Sequence, residues 1–323
     1  MAFSLNTIQS ITQNYIAPQI VDNTSKGTPY VWWLRENGRI SVRGGLSLRF
    51  PIVKSHLNFD WYSGMDPATL EALEPFTAAQ FEWYNGRCPF VIPEEDIDKN
   101  NGPDGIVDIV DAVTQTASAT LMEQLATALM GSNSSNSLQP SGLQDLFAGT
   151  GTPYGGLTDT DFTSPATWLA SRLDCITNNV LTALDMRRLR GSVTRGPSKP
   201  NLGLCNFPVY DRIWAIAQSN QRFGMERIAK IGFDHMMFED MVIMPDEHAE
   251  GSGYTQTDNC LWFLNTDYIK FVVHESKAFI SRVYAPIPQI EAYIGKLLFM
   301  VSHGTSQRRA HGEIDNIDPA DAS

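Results

Sequence analysis

The sequence predicts an α+β fold, and three observations carry the prediction. Strand-like segments cluster ahead of Pro93 and again after Cys260, one helical period runs unbroken from Asp104 to Leu129 between them, and no unit repeats along the chain. A parallel α/β architecture would instead alternate strands and helices throughout.

The elements follow in order. Residues 1–27 are polar, weakly patterned and end in Asp22-Asn-Thr-Ser-Lys-Gly27, so they read as an arm held by a neighbouring subunit rather than by a core of their own. Tyr30–Leu34 reads as a strand, with Glu36-Asn-Gly38 as turn chemistry after it. Ile40–Val42 follows as a strand, Gly44-Gly45 as a second break and Leu46–Val53 as a third strand. This hairpin-like excursion, continuing to Tyr62, has apolar residues on both sides and no partner close by in sequence. Phe81–Tyr84 and Cys88–Ile92 make another strand-like pair around Asn85-Gly86.

From Asp104 the apolar residues fall at Ile106, Ile109, Val110, Val113, Ala117, Leu121, Leu125, Ala128 and Leu129, one face of a helix. Pro103 and Asp104 start it, Gly131-Ser-Asn-Ser-Ser135 stops it, and at 1.5 Å per residue it is about 40 Å long. Its acids crowd the first turns, where the helix dipole favours them. Ser164-Pro165 then suggests an N-cap and N1 proline for a helix through Trp168, Leu173, Ile176, Val180 and Leu184 to Leu189, ended by Gly196–Pro200. Asn201–Cys205 reads as a short strand, Pro208–Phe223 as a helix and Ile231–Pro245 as strand and loop. In the last third, Cys260–Leu264, Tyr268–His274 and Phe279–Tyr284 read as one antiparallel sheet, with Lys296–Ile314 as a further strand.

Composition narrows the function. The chain of 323 residues is 42% hydrophobic with 7 Trp, 10 Tyr and 16 Phe, enough to build a large core. No apolar run reaches the roughly 18 residues needed to span a bilayer, and Met1–Gln19 lacks the charge and apolar core of a secretory signal, so the chain reads as soluble and made in the cytosol. Cys88, Cys175, Cys205 and Cys260 lie far apart and read as free thiols in a reducing compartment. The net charge of -12 argues against a protein that reads nucleic-acid sequence.

No motif carries catalysis. Gly149-Thr-Gly-Thr-Pro-Tyr-Gly-Gly-Leu157 looks like a phosphate cradle but lacks Gly-Lys-Ser/Thr and the G-x-G-x-x-G spacing, so it reads as a joint or turn cluster. There is no Gly-x-Ser-x-Gly elbow. Asp234-His235 and Asp246-Glu-His248 match no standard metal spacing, the acids around Glu94–Asp98 fit no calcium loop, and Arg308-Arg309 with His311 is too short for a nucleic-acid patch. The chain reads as a non-enzyme without cofactor or metal.

The charge is unevenly spread. Between Val31 and Lys54 stand five basic residues, Arg35, Arg39, Arg43, Arg49 and Lys54, against Glu36 alone. Between Val91 and Asp111 stand seven acids, including Asp104, Asp108 and Asp111, against Lys99 alone. Opposite blocks of this kind are either solvated surface or two halves of one contact.

The carboxy-terminal third resembles the major capsid proteins of tailed bacteriophages, the Hong Kong 97 fold. The residues that carry the likeness are Lys230-Ile-Gly-Phe-Asp234, Phe238-Glu-Asp240, Leu261-Trp-Phe-Leu-Asn-Thr266 with Tyr268, Arg308-Arg-Ala-His311, and Tyr154-Gly-Gly-Leu157 followed by Trp168. The element order agrees over nearly the whole chain. The resemblance implies an N-terminal arm (1–27), an extended E-loop (28–65), a P-domain with a spine helix (66–139), an A-domain (140–255) and a P-domain sheet with the C-terminus (256–323). It implies a coat protein that forms hexamers and pentamers of an icosahedral head around double-stranded DNA, present in the virion and in the host cytoplasm during assembly. Portal, scaffolding or decoration proteins would be partners, and no fused scaffolding segment is expected ahead of the arm. An encapsulin-type compartment shell is the alternative. On this map the glycine stretch is the joint between spine and A-domain. The basic excursion (Arg35, Arg39, Arg43, Arg49 and Lys54, with Trp32, Leu34, Leu48 and Ile52 supplying burial) would dock across subunits onto Asp104, Asp108 and Asp111.

Overall fold

The computed structural model describes residues 28–65, 67, 74–95, 103–134, 136–163, 166–175, 180–220, 235–249, 259–283 and 291–318, apart from the side chains of 103–112, 218–220 and 281–283. The arm 1–27, Ser164-Pro165, Ile176, the stretch beyond Asn220 and the motif Lys230–Asp234 lie outside the described residues.

In chain order the strands are β1 (Ile40–Arg43), β2 (Leu48–Val53), β3 (Phe76–Phe81), β4 (Tyr84–Pro93), β5 (Ser171–Asp174), β6 (Leu202–Cys205), β7 (Met236–Phe238), β8 (Met241–Pro245), β9 (Asn259–Leu264), β10 (Ile269–His274), β11 (Ile280–Val283), β12 (Ala292–Thr305) and β13 (Gly312–Ile317). The main helices are Pro29–Glu36, Pro103–Met130, Ala183–Val193 and Phe207–Asn220. The fold is mixed helix and sheet, as expected.

The long strand β12 is the axis of the first sheet. β4 lies antiparallel along it from Ala292↔Pro93 to Val301↔Tyr84, and β11 and β10 share its other side, with β1 parallel to β10 at the edge. Two glycines in this ladder make room for rings: a Cβ on Gly86 would sit 2.0 Å from Phe299, and one on Gly295 would sit 2.2 Å from Phe90, each directly across the strand pair. Asn85-Gly86 is therefore strand rather than the expected turn; the break falls at Glu82-Trp83. Pro103–Met130 packs against β4 and β12 through Ala117, Leu121, Leu125 and Leu129, the spacing read from the sequence.

The second sheet has six strands in the order β5-β13-β9-β6-β8-β7. β6, β8 and β9 are buried at every residue, as strands covered on both faces must be. Leu202, Leu204, Met244, Trp262 and Leu264 point into the main core shared with the long helix. Cys205, Ile243, Leu261 and Phe263 point the other way, under the helices Ala183–Val193 and Phe207–Asn220. Each such large apolar side chain contributes roughly 1.5–3 kcal/mol of burial.

Four sequence expectations are corrected here. Tyr30–Leu34 is helix, not strand. Ser171–Asp174 is a strand paired in parallel with Gly312–Asp315, so no helix runs from Trp168 to Leu189; it begins after Thr182, whose hydroxyl accepts from Asp185 N in a capping box. The 3.6-like spacing of Trp168, Leu173 and Leu184 is outweighed by sheet pairing. β9 and β13 belong to the second sheet while β10, β11 and β12 form the first, so the last third is not one sheet. Lys296–Ile314 is two strands, divided at the turn Arg308–Ala310.

Candidate intersubunit surface

The excursion begins with the helix Pro29–Glu36. Pro29 stands at its first turn, and Tyr30, Val31 and Leu34 bury one face in the main core. Its end is a Schellman motif: Gly38 at φ +63 lets Gly38 N donate to Arg35 O and Arg39 N donate to Leu34 O. Glu36-Asn-Gly38 is thus a stop, as read, but of a helix. Leu34 is fully buried and Trp32 half-buried against the chain's own core. Leu34 therefore has no surface left for a neighbour.

β1 and β2 follow, joined through Gly44-Gly45, where Trp83 Nε1 donates to Gly45 O at 2.9 Å. β2 pairs with β3 and turns Leu48, Phe50 and Ile52 inward, Phe50 meeting Phe81 edge-on at 5.9 Å, while Arg49, Pro51 and Val53 face out. Leu48 and Ile52 thus pack largely within this chain, which corrects the expectation that they are kept for a partner. Between β1 and β2 lies an open cleft of about 490 Å³, with Arg43 and Arg49 on its walls and Trp83, Leu46 and Val272 lining it.

The predicted basic residues are spread along this excursion. Arg35 is exposed on the last helical turn, Arg39 forms an ion pair with Asp267, and Arg43 and Arg49 flank the cleft. Lys54 is tied by its backbone, its N–H donating to Pro75 O and its carbonyl accepting from Thr163 N. It also lies near Asp161, whose carboxyl is held below its usual range chiefly by the backbone N–H and hydroxyl of Thr158. Asp104, Asp108 and Asp111 fall in the first turns of the long helix; their side chains lie outside the described residues.

What sequence reasoning missed lies immediately beyond. From Ser55 to Ser63 the chain has no helix or strand, yet Leu57 is 69%, Phe59 73%, Trp61 91% and Tyr62 79% exposed, and Met65 is fully exposed. Phe59 and Trp61 meet each other edge to face at 5.1 Å. Val42, Leu46, Val53 and Phe76 extend the apolar surface onto β1–β3. The available signal was the alternation of Leu57, Phe59 and Trp61 with Asn58 and Asp60, a strand-like two-residue period followed by Tyr62 and Met65. The stretch nevertheless forms no strand, so its apolar side chains stay at the surface.

The glycine stretch is a turn cluster docked on this region. Tyr154 and Leu157 bridge one another across Gly155-Gly156, both with positive φ. A Cβ on Gly155 would lie 2.9 Å from Phe81, and Gly155 O accepts from Gln80 N. The buried ring of Trp168 donates to Tyr154 O at 2.9 Å. Arg308 completes the arrangement: almost wholly buried, it donates to the carbonyls of Leu146, Trp168, Asp145 and Ala148 and lies over the Tyr154 ring at 5.3 Å. The charge is solvated by carbonyl dipoles rather than by a contacting carboxylate.

Elsewhere the candidate groups have structural employment. Asp246 is buried and accepts from His248 N at 3.0 Å, and burial raises its pKa. Among the described residues no group of three or more His, Cys, Asp or Glu is placed to hold a metal ion, and no helix is long and apolar enough to cross a membrane. The described thiols are free; Cys175, Cys205 and Cys260 are buried and Cys88 half-buried.

No protein-family model and no curated protein matches the sequence. Solved structures do. A cyanophage A-1(L) capsid chain superposes with a TM-score of 0.65 at 13% identity, covering 86% of this chain and 90% of that one. The capsid of a native GTA particle gives 0.62 at 10% identity, covering 91% of each chain. An encapsulin complex from Synechococcus elongatus PCC 7942 gives 0.56 at 10% identity, covering 89% of this chain and 88% of that one. At these identities the likeness is one of fold, and the fold of this chain is that of the phage capsid and encapsulin shells, the Hong Kong 97-like fold.

Proposed function

We propose that this chain is a non-enzymatic major capsid protein that assembles into hexamers and pentamers of an icosahedral shell around double-stranded DNA. The observation that carries the reading is the agreement of fold with capsid chains over about nine-tenths of both partners. The exposed aromatic loop supports it, because so large an apolar surface on a folded chain calls for a partner. The net charge of -12 suits a wall that must not adhere to the nucleic acid beside it.

On this reading residues 28–65 divide in two. The helix Pro29–Glu36 is part of the main core, and the excursion beyond Arg39 reaches onto a neighbouring subunit. Arg43 and Arg49 are the basic residues best placed to meet the acidic approach to the long helix, Asp104, Asp108 and Asp111, with Leu57, Phe59, Trp61 and Tyr62 supplying the burial. The sheet β5-β13-β9-β6-β8-β7 with the helices Ala183–Val193 and Phe207–Asn220 forms the second lobe, and portal, scaffolding or decoration proteins are the expected further partners. The test is electron microscopy of purified protein with analysis of particle contents. Closed shells with DNA support the reading, and a monodisperse monomer refutes it. The encapsulin likeness makes a second reading specific: shells filled with an enzyme rather than DNA would establish it instead.

A further inference from the structure

Away from the loop, two helices on the second lobe present exposed surfaces of complementary character. On Phe207–Asn220, Phe207 (54% exposed) and Trp214 (42%) stand two turns apart, with exposed Asp211 between them on the same side. The inward residues Val209, Ile213 and Ala217 are buried against the sheet, so the aromatic pair is not needed for this helix's own packing. On Ala183–Val193, Leu184 is 56% exposed and Arg187 and Arg188 extend beside it, while Met186, Leu189 and Val193 face the core. Among the described residues Arg187 and Arg188 pair loosely, with Glu239 at 3.7 Å and Asp185 at 3.6 Å, and both arginines are largely solvated.

The two helices cover opposite halves of one sheet face. Ala183–Val193 lies over β5 and β13, and Phe207–Asn220 lies over β8 and β9. One half therefore offers an aliphatic residue with arginines, and the other offers two aromatic rings around an acid. Neither surface complements itself, but each complements the other. That pattern suits a head-to-tail contact, in which one surface of each copy meets the other surface of the next and a closing rotation makes a ring. Aromatic and arginine side chains are also those enriched at protein contacts.

We infer that the Phe207–Asp211–Trp214 surface of one copy docks on the Leu184–Arg188 surface of the next, with a second copy of this chain as the sole occupant. The inference rests on the shell reading above and adds a contact on the two helices over the second sheet. Leu184 would seat between the two rings, and Arg188 would exchange its loose bond to Asp185 for Asp211 of the neighbour.

The experiment is a charge swap followed by native mass spectrometry and electron microscopy of the full-length protein. Asp211→Arg should lower the assembled fraction by about tenfold at fixed concentration, a change of one decade in association. Asp211→Arg with Arg188→Asp should return it to within about threefold of the parent. Trp214→Ala should lower it without rescue, and circular dichroism should show every variant folded. If Asp211→Arg and Trp214→Ala assemble like the parent, this contact is refuted while the shell reading stands. Failure of the double swap to rescue refutes the pairing of these two helices. A parent that never assembles removes the shell reading and this inference together.

Discussion

The surroundings of Arg308 and the loop 55–65 place opposite demands on their environment. Arg308 is a buried charge whose donors are met by four backbone carbonyls of its own chain. Nearby His303 and His311 are equally complete. His303 Nδ1 donates to Ser141 O at 2.8 Å, so its Nε2 must accept from Tyr30 OH, also at 2.8 Å. His311 Nδ1 accepts from Asn265 N, leaving Nε2 to donate to Thr305 Oγ1. The loop reverses this: Phe59, Trp61 and Tyr62 stand at the surface with most of their rings exposed. The first region is finished within one chain; on the proposed reading, the second is finished in an assembly. Substitutions in the first should therefore change stability, and substitutions in the second should change association.

The largest effect is expected at Arg308. Arg308→Met keeps much of the volume but strands the carbonyls of Leu146, Trp168 and Ala148, and should cost about 3–5 kcal/mol in urea unfolding. A loss under about 1 kcal/mol would break the contrast, since a self-contained polar knot cannot be that cheap to open.

The histidines make a pH prediction. Burial depresses His303 to about 4 and His311 to about 3, His311 being lowered further by His303. In the unfolded chain both titrate near 6.5, so below that value the unfolded state binds protons that the folded state refuses. Their contribution is complete above pH 6.5 and is lost as pH falls. Glu313 acts in the opposite sense: burial pushes it up to about 7 from 4.5, and the folded state therefore gains a proton first. Between pH 6 and 5 it offsets one histidine, leaving a loss of about 1.4 kcal/mol per pH unit from this trio. Glu313→Gln should roughly double that slope in unfolding midpoints taken at pH 6 and 5; an unchanged slope would contradict the assignment.

Smaller again is Tyr30→Phe, which leaves His303 Nε2 without its donor and should cost about 1–3 kcal/mol. Smallest is Arg39→Ala. It removes an exposed ion pair with Asp267 and should change monomer stability by no more than about 1 kcal/mol. Thermal unfolding of the two variants side by side sharpens the contrast between buried and exposed polar contacts.

How much of this was readable in the sequence depended on which force decided each element. Pro103–Met130 was readable because one buried stripe sets its period, and β6, β9 and β10 were readable as short apolar runs. Pro29–Glu36 was misread because Tyr30-Val-Trp-Trp-Leu34 has strand composition, although Pro29 and Gly38 mark a helix's two ends. β5 was unreadable: Ser171–Asp174 becomes strand through pairing with Gly312–Asp315, far away in sequence. Arg308 was noticed only as part of Arg308-Arg-Ala-His311, since no local pattern announces an arginine solvated by distant carbonyls. At the candidate surface the positive charge of the excursion was plain. Its apolar residues were misassigned, because alternation in β2 cannot reveal that β3 supplies a partner within the same chain.

The central claim is that the loop is built for a neighbour and not for this chain's own core. Sedimentation of the parent and of a Phe59→Ser, Trp61→Ser, Tyr62→Ser variant, with urea unfolding of the same samples dissociated to monomer, tests it most directly. The account predicts large particles for the parent alone, with monomer stabilities agreeing within about 0.5 kcal/mol, as for exposed positions. Particles of parental size from the variant, or a monomer destabilised by several kcal/mol, would contradict it.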